Sequence, residues 1–169
     1  EALSTLATKP QYSNQDLVRK VSTRDSFVLK STTISNSPFQ GKRVVISDCG
    51  LKYNIIRNLQ SRGCLVTVMP IDATVKEVLD TQPDGLIFSP GPGDPTLLDY
   101  AIETVQTLAE KIPILGICLG MQLFGSSSDE SMNDKGFSWI KGNLKKFNIK
   151  KKVPHIGFNN LINLKKNEP

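Results

Sequence analysis

The chain has 169 residues, 38% hydrophobic, 22% charged and 7% aromatic, the composition of one compact domain. Twelve glycines and ten prolines are ordinary usage and exclude collagen-like and low-complexity architectures. Twenty-one basic against sixteen acidic residues give a net charge of +5, and apolar runs such as Ile112–Leu115 fall far short of the roughly 18 residues of a membrane span.

Residues 1–41 are polar and rich in Ser and Thr, with one short helical candidate over 14–21 and a turn signal at Asn36-Ser37-Pro38. They read as a linker or the tail of a preceding domain, with the main domain over 42–169. From Arg43 the texture changes. RVVISD is a β-branched run that predicts a buried parallel strand, and 52–62 carries Ile55, Ile56 and Leu59 at helical spacing before Gly63. A strand over 65–69, a helix over 73–81, a strand over 85–88, a long helix over 97–111 and a strand over 112–117 follow. Strands alternating with helical segments predict an α/β fold, a doubly wound, mostly parallel sheet whose ligands gather at the carboxyl ends of the strands. Beyond Gly125, SSSDESMNDKG predicts a loop, and 137–147 and 153–164 predict short strands.

Eight lysines lie between Lys141 and Lys166. Without interleaved aromatics or an arginine fork for base edges they read as a solvated face rather than a nucleic-acid surface. Three cysteines, Cys49, Cys64 and Cys118, are odd in number and form no C-x-x-C pair. This argues against a disulfide framework and against zinc, so a reducing, cytoplasmic location and no metal or cofactor are expected. The opening EALSTLATKPQ has neither a basic stretch nor an apolar core, so no signal peptide is expected, and starting at Glu1 the chain reads as cut from something longer.

The chemistry-bearing stretch is Gly116-Ile117-Cys118-Leu119-Gly120-Met121-Gln122, which runs directly out of the last predicted parallel strand. Glycines on both sides of a central nucleophile permit the sharp strand-to-helix turn that projects one side chain above an α/β sheet. A thiol there lies near a helix start that favours thiolate, and the Leu119 amide can donate to an oxyanion. The competing reading is a small apolar residue closing a strand. Cys64 is expected in the core, and Cys49, next to Gly50, is expected to line the same crevice as a bystander. Ser89-Pro90-Gly91-Pro92-Gly93-Asp94-Pro95 ends the preceding strand on the same side, and its Gly91 and Gly93 amides are uncovered by side chains. It completes neither G-x-G-x-x-G nor a P-loop; the competing reading is a structural turn with Asp94 as helix cap.

GPGDP followed, 27 residues after Gly91, by the cysteine of GICLG and then by Gln122 resembles the class I glutamine amidotransferases. The resemblance implies Cys118 as the nucleophile toward the side-chain amide of L-glutamine. It implies Leu119 and Gly91 as oxyanion-side donors, Gly93 and Gln122 as substrate contacts, and a synthase subunit or domain that receives the ammonia. DLVRKVST, SDCGLKYNIIRNLQSRGC, PDGLIFSPGPGDP and IPILGICLG, spanning 16–120, resemble the glutaminase component of carbamoyl-phosphate synthetase. GMQLF, KGFSWIKGNLKKF and KKVPHIGFNN, within 113–162, resemble the glutaminase subunit of imidazole glycerol phosphate synthase. Met121 stands where the carbamoyl-phosphate relatives usually carry His.

Both relatives use a C-terminal His-Pro-Glu segment to activate the thiol, and the 169 residues contain none. The single histidine, His155, sits in Pro-His-Ile-Gly-Phe-Asn, which resembles a non-catalytic motif of the imidazole glycerol phosphate relatives. The domain therefore reads as incomplete at its C-terminus. An amidotransferase feeding carbamoyl phosphate synthesis is the first expectation, one feeding imidazole glycerol phosphate the second, and a non-catalytic amidotransferase-like binding module the third.

Overall fold

The computed structural model describes residues 15–29, 36–128 and 140–144. A short helix, α1 (Val18–Val21), and a three-residue strand, β1 (Phe27–Leu29), precede the first strand of the expected α/β run, β2 (Arg43–Asp48). Then come α2 (Tyr53–Gln60), β3 (Leu65–Pro70), α3 (Val75–Asp80), β4 (Gly85–Phe88), a 3-10 turn at Pro95–Leu97, α4 (Asp99–Ala109), β5 (Ile114–Gly116) and α5 (Leu119–Gln122). The main sheet has the order β1-β3-β2-β4-β5. β3, β2, β4 and β5 are mutually parallel, and β1 lies antiparallel on β3.

Alternation along the strands divides the core into two layers, because successive side chains point to opposite faces. Val45, Leu86 and Phe88 face one way, packed with Val78 of α3 and with Ala101, Val105 and Leu108 of α4. Ile46, Val66, Val68 and Ile87 face the other way, against Ile56 of α2. Helices on both faces make the sheet doubly wound, as its pattern predicts. The chain leaves β2 outward to β3, then returns past β2 to β4 and β5. The winding therefore reverses between β2 and β4, which opens a crevice at the carboxyl ends of these two strands.

Local chemistry sets the ends of the elements. α3 starts with a capping box: Thr74 accepts from the Glu77 amide at 3.2 Å while the Glu77 carboxylate accepts from the Thr74 amide at 2.7 Å. After α2 the chain reverses at Gly63, φ +85°, a left-handed conformation that glycine adopts without a Cβ penalty.

One expectation changes. Gly125–Ser128, expected as loop, forms a strand (β6) paired in parallel with β7 (Ile140–Leu144), which falls inside the expected strand over 137–147. Pairing with a distant segment overrides the weak strand preference of Gly and Ser. Residues 15–29, within the stretch read as a linker or the tail of a preceding domain, are docked on the domain: Val18 is buried in the core and β1 extends the sheet. An apolar residue every few positions was too sparse a signal in so polar a stretch. The expected strand over 153–164 lies outside the described residues.

Candidate active site

Cys118 is the hinge between β5 and α5. Its backbone has φ +55° and ψ −112°, a conformation that costs a non-glycine residue about 1–3 kcal/mol and persists only where its surroundings enforce it. The enforcement comes from the flanking glycines. A Cβ on Gly120 would stand 2.5 Å from the Phe88 Cβ, and one on Gly116 would run into the backbone of Gly120 and, at 2.6 Å, the Met121 nitrogen. The turn is thus pressed against its own strand and against β4. The Ile117 amide donates to the Phe88 carbonyl at 3.1 Å, and the amides of Met121 and Gln122 both donate to the Cys118 carbonyl at 3.0 Å. Leu119 and Leu123 are buried and anchor the turn from below, while the Cys118 thiol stands exposed. Gln122 is half-buried one turn along, and Met121 is exposed. α5 has only four residues, so the helix start beside Cys118 is that of a single turn.

The glycine loop leaves β4 at the same edge. Ser89 is fully buried; its Oγ accepts from the Cys49 amide at 2.8 Å and donates to the Pro90 carbonyl at 3.0 Å. Gly91 lies directly on Cys49: a Cβ there would meet the Cys49 carbonyl oxygen and, at 2.7 Å, the Cys49 Cβ. Gly93 has φ +96°, and a Cβ on it would stand 3.5 Å from the Cβ of Leu17. Among the described residues nothing accepts a hydrogen bond from the amides of Gly91 or Leu119. The competing reading, Asp94 as cap of the following helix, is not how α4 begins: it starts after Leu98 with no side-chain cap.

The turn after β2 completes the crevice. The buried Asp48 accepts from the amides of Gly50 at 2.8 Å and Leu51 at 2.7 Å through Oδ1, and from the Thr23 amide at 2.9 Å through Oδ2. Cys49 is fully buried beneath the glycine loop rather than lining an open crevice. Burial, reinforced by the neighbouring Asp48 carboxylate, pushes its thiol up to about 12, with the Ser89 hydrogen bond only partly offsetting the shift. Cys64 is a core residue, as expected, and burial raises its thiol too. Among the described residues no cluster of His, Cys, Asp and Glu could hold a metal, and no helix is long and apolar enough to cross a membrane.

The expected residues Gly91, Gly93, Cys118, Leu119 and Gln122 thus occur on consecutive strand ends at one edge of the sheet. Ser89, which ties the turn after β2 to the glycine loop, and Asp48, which holds that turn to Thr23, were not anticipated. Asp48 could have been found, because Asp two residues before Gly after a strand is a signature of an Asx-turn. Ser89 had no local signal. His155 lies outside the described residues.

A doubly wound α/β domain with an exposed cysteine on a strained elbow beside a rigid glycine loop defines a class of protein, the α/β domains built around a thiol elbow. Within it, the family model Glutamine amidotransferase class-I matches residues 45–168, and the chain belongs to that family. Among curated proteins it is 48% identical over 94 residues to the carbamoyl phosphate synthase small chain of Lactococcus lactis subsp. lactis, covering 56% of this chain and 26% of that one. It is 44% identical over 110 residues to the small chain of Bacillus caldolyticus, covering 65% and 28%. With the small chain of Methanopyrus kandleri it shares 40% identity over 126 residues, covering 74% and 32%. The matched stretches thus span about a quarter to a third of these relatives.

Proposed function

We propose that this chain is the glutaminase portion of an enzyme that makes carbamoyl phosphate, with Cys118 as its nucleophile. The observation that carries the reading is the exposed thiol on a positive-φ elbow, one strand away from a glycine loop with a free amide. The Cys118 sulfur attacks the side-chain carbonyl carbon of L-glutamine, and the resulting oxyanion accepts from the amides of Leu119 and Gly91. The carbon–nitrogen bond breaks, and the nitrogen takes a proton and leaves as ammonia. Water then attacks the thioester, releasing glutamate and restoring the thiol. Gly93 and Gln122 contact the substrate, and a synthase subunit or domain receives the ammonia. Carbamoyl phosphate as the product rests on the likeness to the carbamoyl phosphate synthase small chains. In this reading residues 42–169 are amidotransferase domain, residues 1–41 are the end of a preceding domain and its connection, and the protein works in the cytoplasm.

The sulfur needs a base to hold it as thiolate, and the leaving nitrogen needs an acid. These 169 residues offer one histidine, His155, in a motif of another kind. The chain by itself should therefore turn glutamine over slowly even with the elbow and loop in place, since loss of such a partner costs several orders of magnitude.

The test is inactivation by a chloroketone analogue of glutamine followed by peptide mapping. Saturable labelling of Cys118, protected by glutamine and at least a hundredfold faster than that of Cys49 or Cys64, is expected. Equal labelling of all three would make Cys118 a structural residue and leave only a binding module. Robust glutamine hydrolysis by the 169 residues alone, abolished by His155→Ala, would instead show that His155 is the base.

A further inference from the structure

The glycine loop is gripped from two sides, and only the inner grip belongs to the sheet. Inside, Gly91 rests on Cys49. Outside, the segment from Gln15 to Thr23 crosses the carboxyl edge of the sheet and lies over Gly93. A Cβ on Gly93 would be 3.5 Å from the Leu17 Cβ, 3.8 Å from the Leu17 nitrogen and 3.8 Å from the Gln15 carbonyl.

Each end of that segment is tied to a different strand end or helix. The Tyr100 hydroxyl, on α4, donates to the Asp16 carboxylate at 3.0 Å. Asp16 also accepts from the Arg19 amide at 3.1 Å and pairs with the Arg19 side chain at 3.5 Å, and the Arg19 guanidinium lies 4.1 Å over the Tyr100 ring. Farther along, Ser22 Oγ accepts from the Ile71 amide at 3.0 Å, just past β3, and the Thr23 amide donates to Asp48 at 2.9 Å, at the end of β2. Val18 is buried between these ties. Burial, with Asp16 next to it, raises the Tyr100 hydroxyl, so it remains a donor throughout the physiological range.

We propose that residues 15–23 form a strap that holds the Gly91–Gly93 loop in its substrate-receiving shape, with the Asp16–Tyr100 hydrogen bond as its latch. The strap rests on the glutamine reading for the identity of the substrate, but its mechanical claim does not. Asp16 and Tyr100 are positioning residues. They act through Leu17 on Gly93. Releasing the latch should weaken capture of substrate while leaving the thiol as reactive as before, because the elbow is held separately by Phe88.

Tyr100→Phe keeps the ring and its contact with Arg19 and removes only the donor; Asp16→Asn removes the charge. In the 169-residue chain both should raise the chloroketone concentration for half-maximal inactivation about ten- to a hundredfold, the range a hydrogen bond to a charged group commands. The limiting inactivation rate and the reactivity of Cys118 toward iodoacetamide should stay within twofold. Hydrogen exchange in a peptide covering 89–94 should accelerate at least tenfold in both variants, whereas peptides from β2 should not change. Unchanged half-saturation in variants whose melting temperature has dropped would overturn the strap as a positioning element and leave it as structural support. Should the unmodified chain show no saturable labelling, the glutamine reading fails, and the exchange measurement alone decides: acceleration at 89–94 upholds the strap, no acceleration overturns it.

Discussion

The turns after β2 and after β5 are built from nearly the same parts and end in opposite states. Each is a short strand-to-helix connection with a cysteine, a leucine and glycine close by: Asp48-Cys49-Gly50-Leu51 in one, Gly116-Ile117-Cys118-Leu119-Gly120 in the other. After β2 the positive φ falls on Gly50, at +132°, so Cys49 keeps an ordinary backbone and its side chain folds inward beneath Gly91. After β5 the positive φ falls on the cysteine itself, at +55°, and the thiol is turned out to solvent. What exposes a cysteine at a strand end is which residue absorbs the reversal. Polar anchoring follows suit: Asp48 and Ser89 saturate the first turn, while at the second the Leu119 amide is left for a ligand.

The largest effect that would break this contrast is on reactivity. Cys118→Ser should lower inactivation by the glutamine chloroketone, and any turnover with a synthase partner, by at least about a thousandfold with the fold intact by circular dichroism. The buried thiols cannot substitute. With its thiol raised to about 12, Cys49 is ionised in only about one molecule in 10⁴ to 10⁵ at pH 7.5. Labelling of Cys49 at a rate comparable to Cys118 at that pH would remove the basis of the comparison.

Next in size is the steric enforcement of the elbow. Gly120→Ala places a methyl group 2.5 Å from the Phe88 Cβ, in a layer with no give, and should cost about 3 kcal/mol in urea unfolding while slowing Cys118 labelling as the turn relaxes. A Gly120→Ala protein of unchanged stability and reactivity would mean that the strained turn is held by something other than close packing.

The buried turn gives a smaller effect that depends on pH. Cys49 binds its proton more tightly folded than unfolded, so above pH 9 the unfolded chain holds fewer protons and stability must fall as pH rises, up to about pH 12. By pH 10.5 the loss is roughly 1–2 kcal/mol, and Cys49→Ala should remove that share of the decline. Identical pH slopes for the two proteins between pH 9 and 10.5 would show that Cys49 is not held neutral by burial.

Smallest is a change remote from both turns. Thr74→Ala removes the capping box of α3 and should cost about 1 kcal/mol, without altering the labelling of any cysteine. A loss of Cys118 labelling in this variant would tie the elbow to α3 and blur the separation between the two turns.

The sequence by itself determined the parallel strands β2 to β5 and the position of the elbow, because these are written in short-range pattern, whereas the antiparallel β1 was not legible. RVVISD, GLIF and the Ile55-Ile56-Leu59 spacing specify strand, strand and helix from local periodicity, and two glycines around Cys118 announce a sharp turn wherever it lies. Even the Thr74-x-x-Glu77 box was legible, although not anticipated. The contacts that shape the site were not. Asp16 and Tyr100 are 84 residues apart, Cys49 and Ser89 are 40, and Thr23 and Asp48 are 25. No periodicity links such pairs; they meet because parallel pairing brings the strand carboxyl ends to one edge, over which residues 15–23 pass beside α4. The same holds for the two cysteines: both follow a strand with glycine within two residues, and only the tertiary packing of Gly91 on Cys49 and of Gly120 on Phe88 decides that one is sealed and the other exposed.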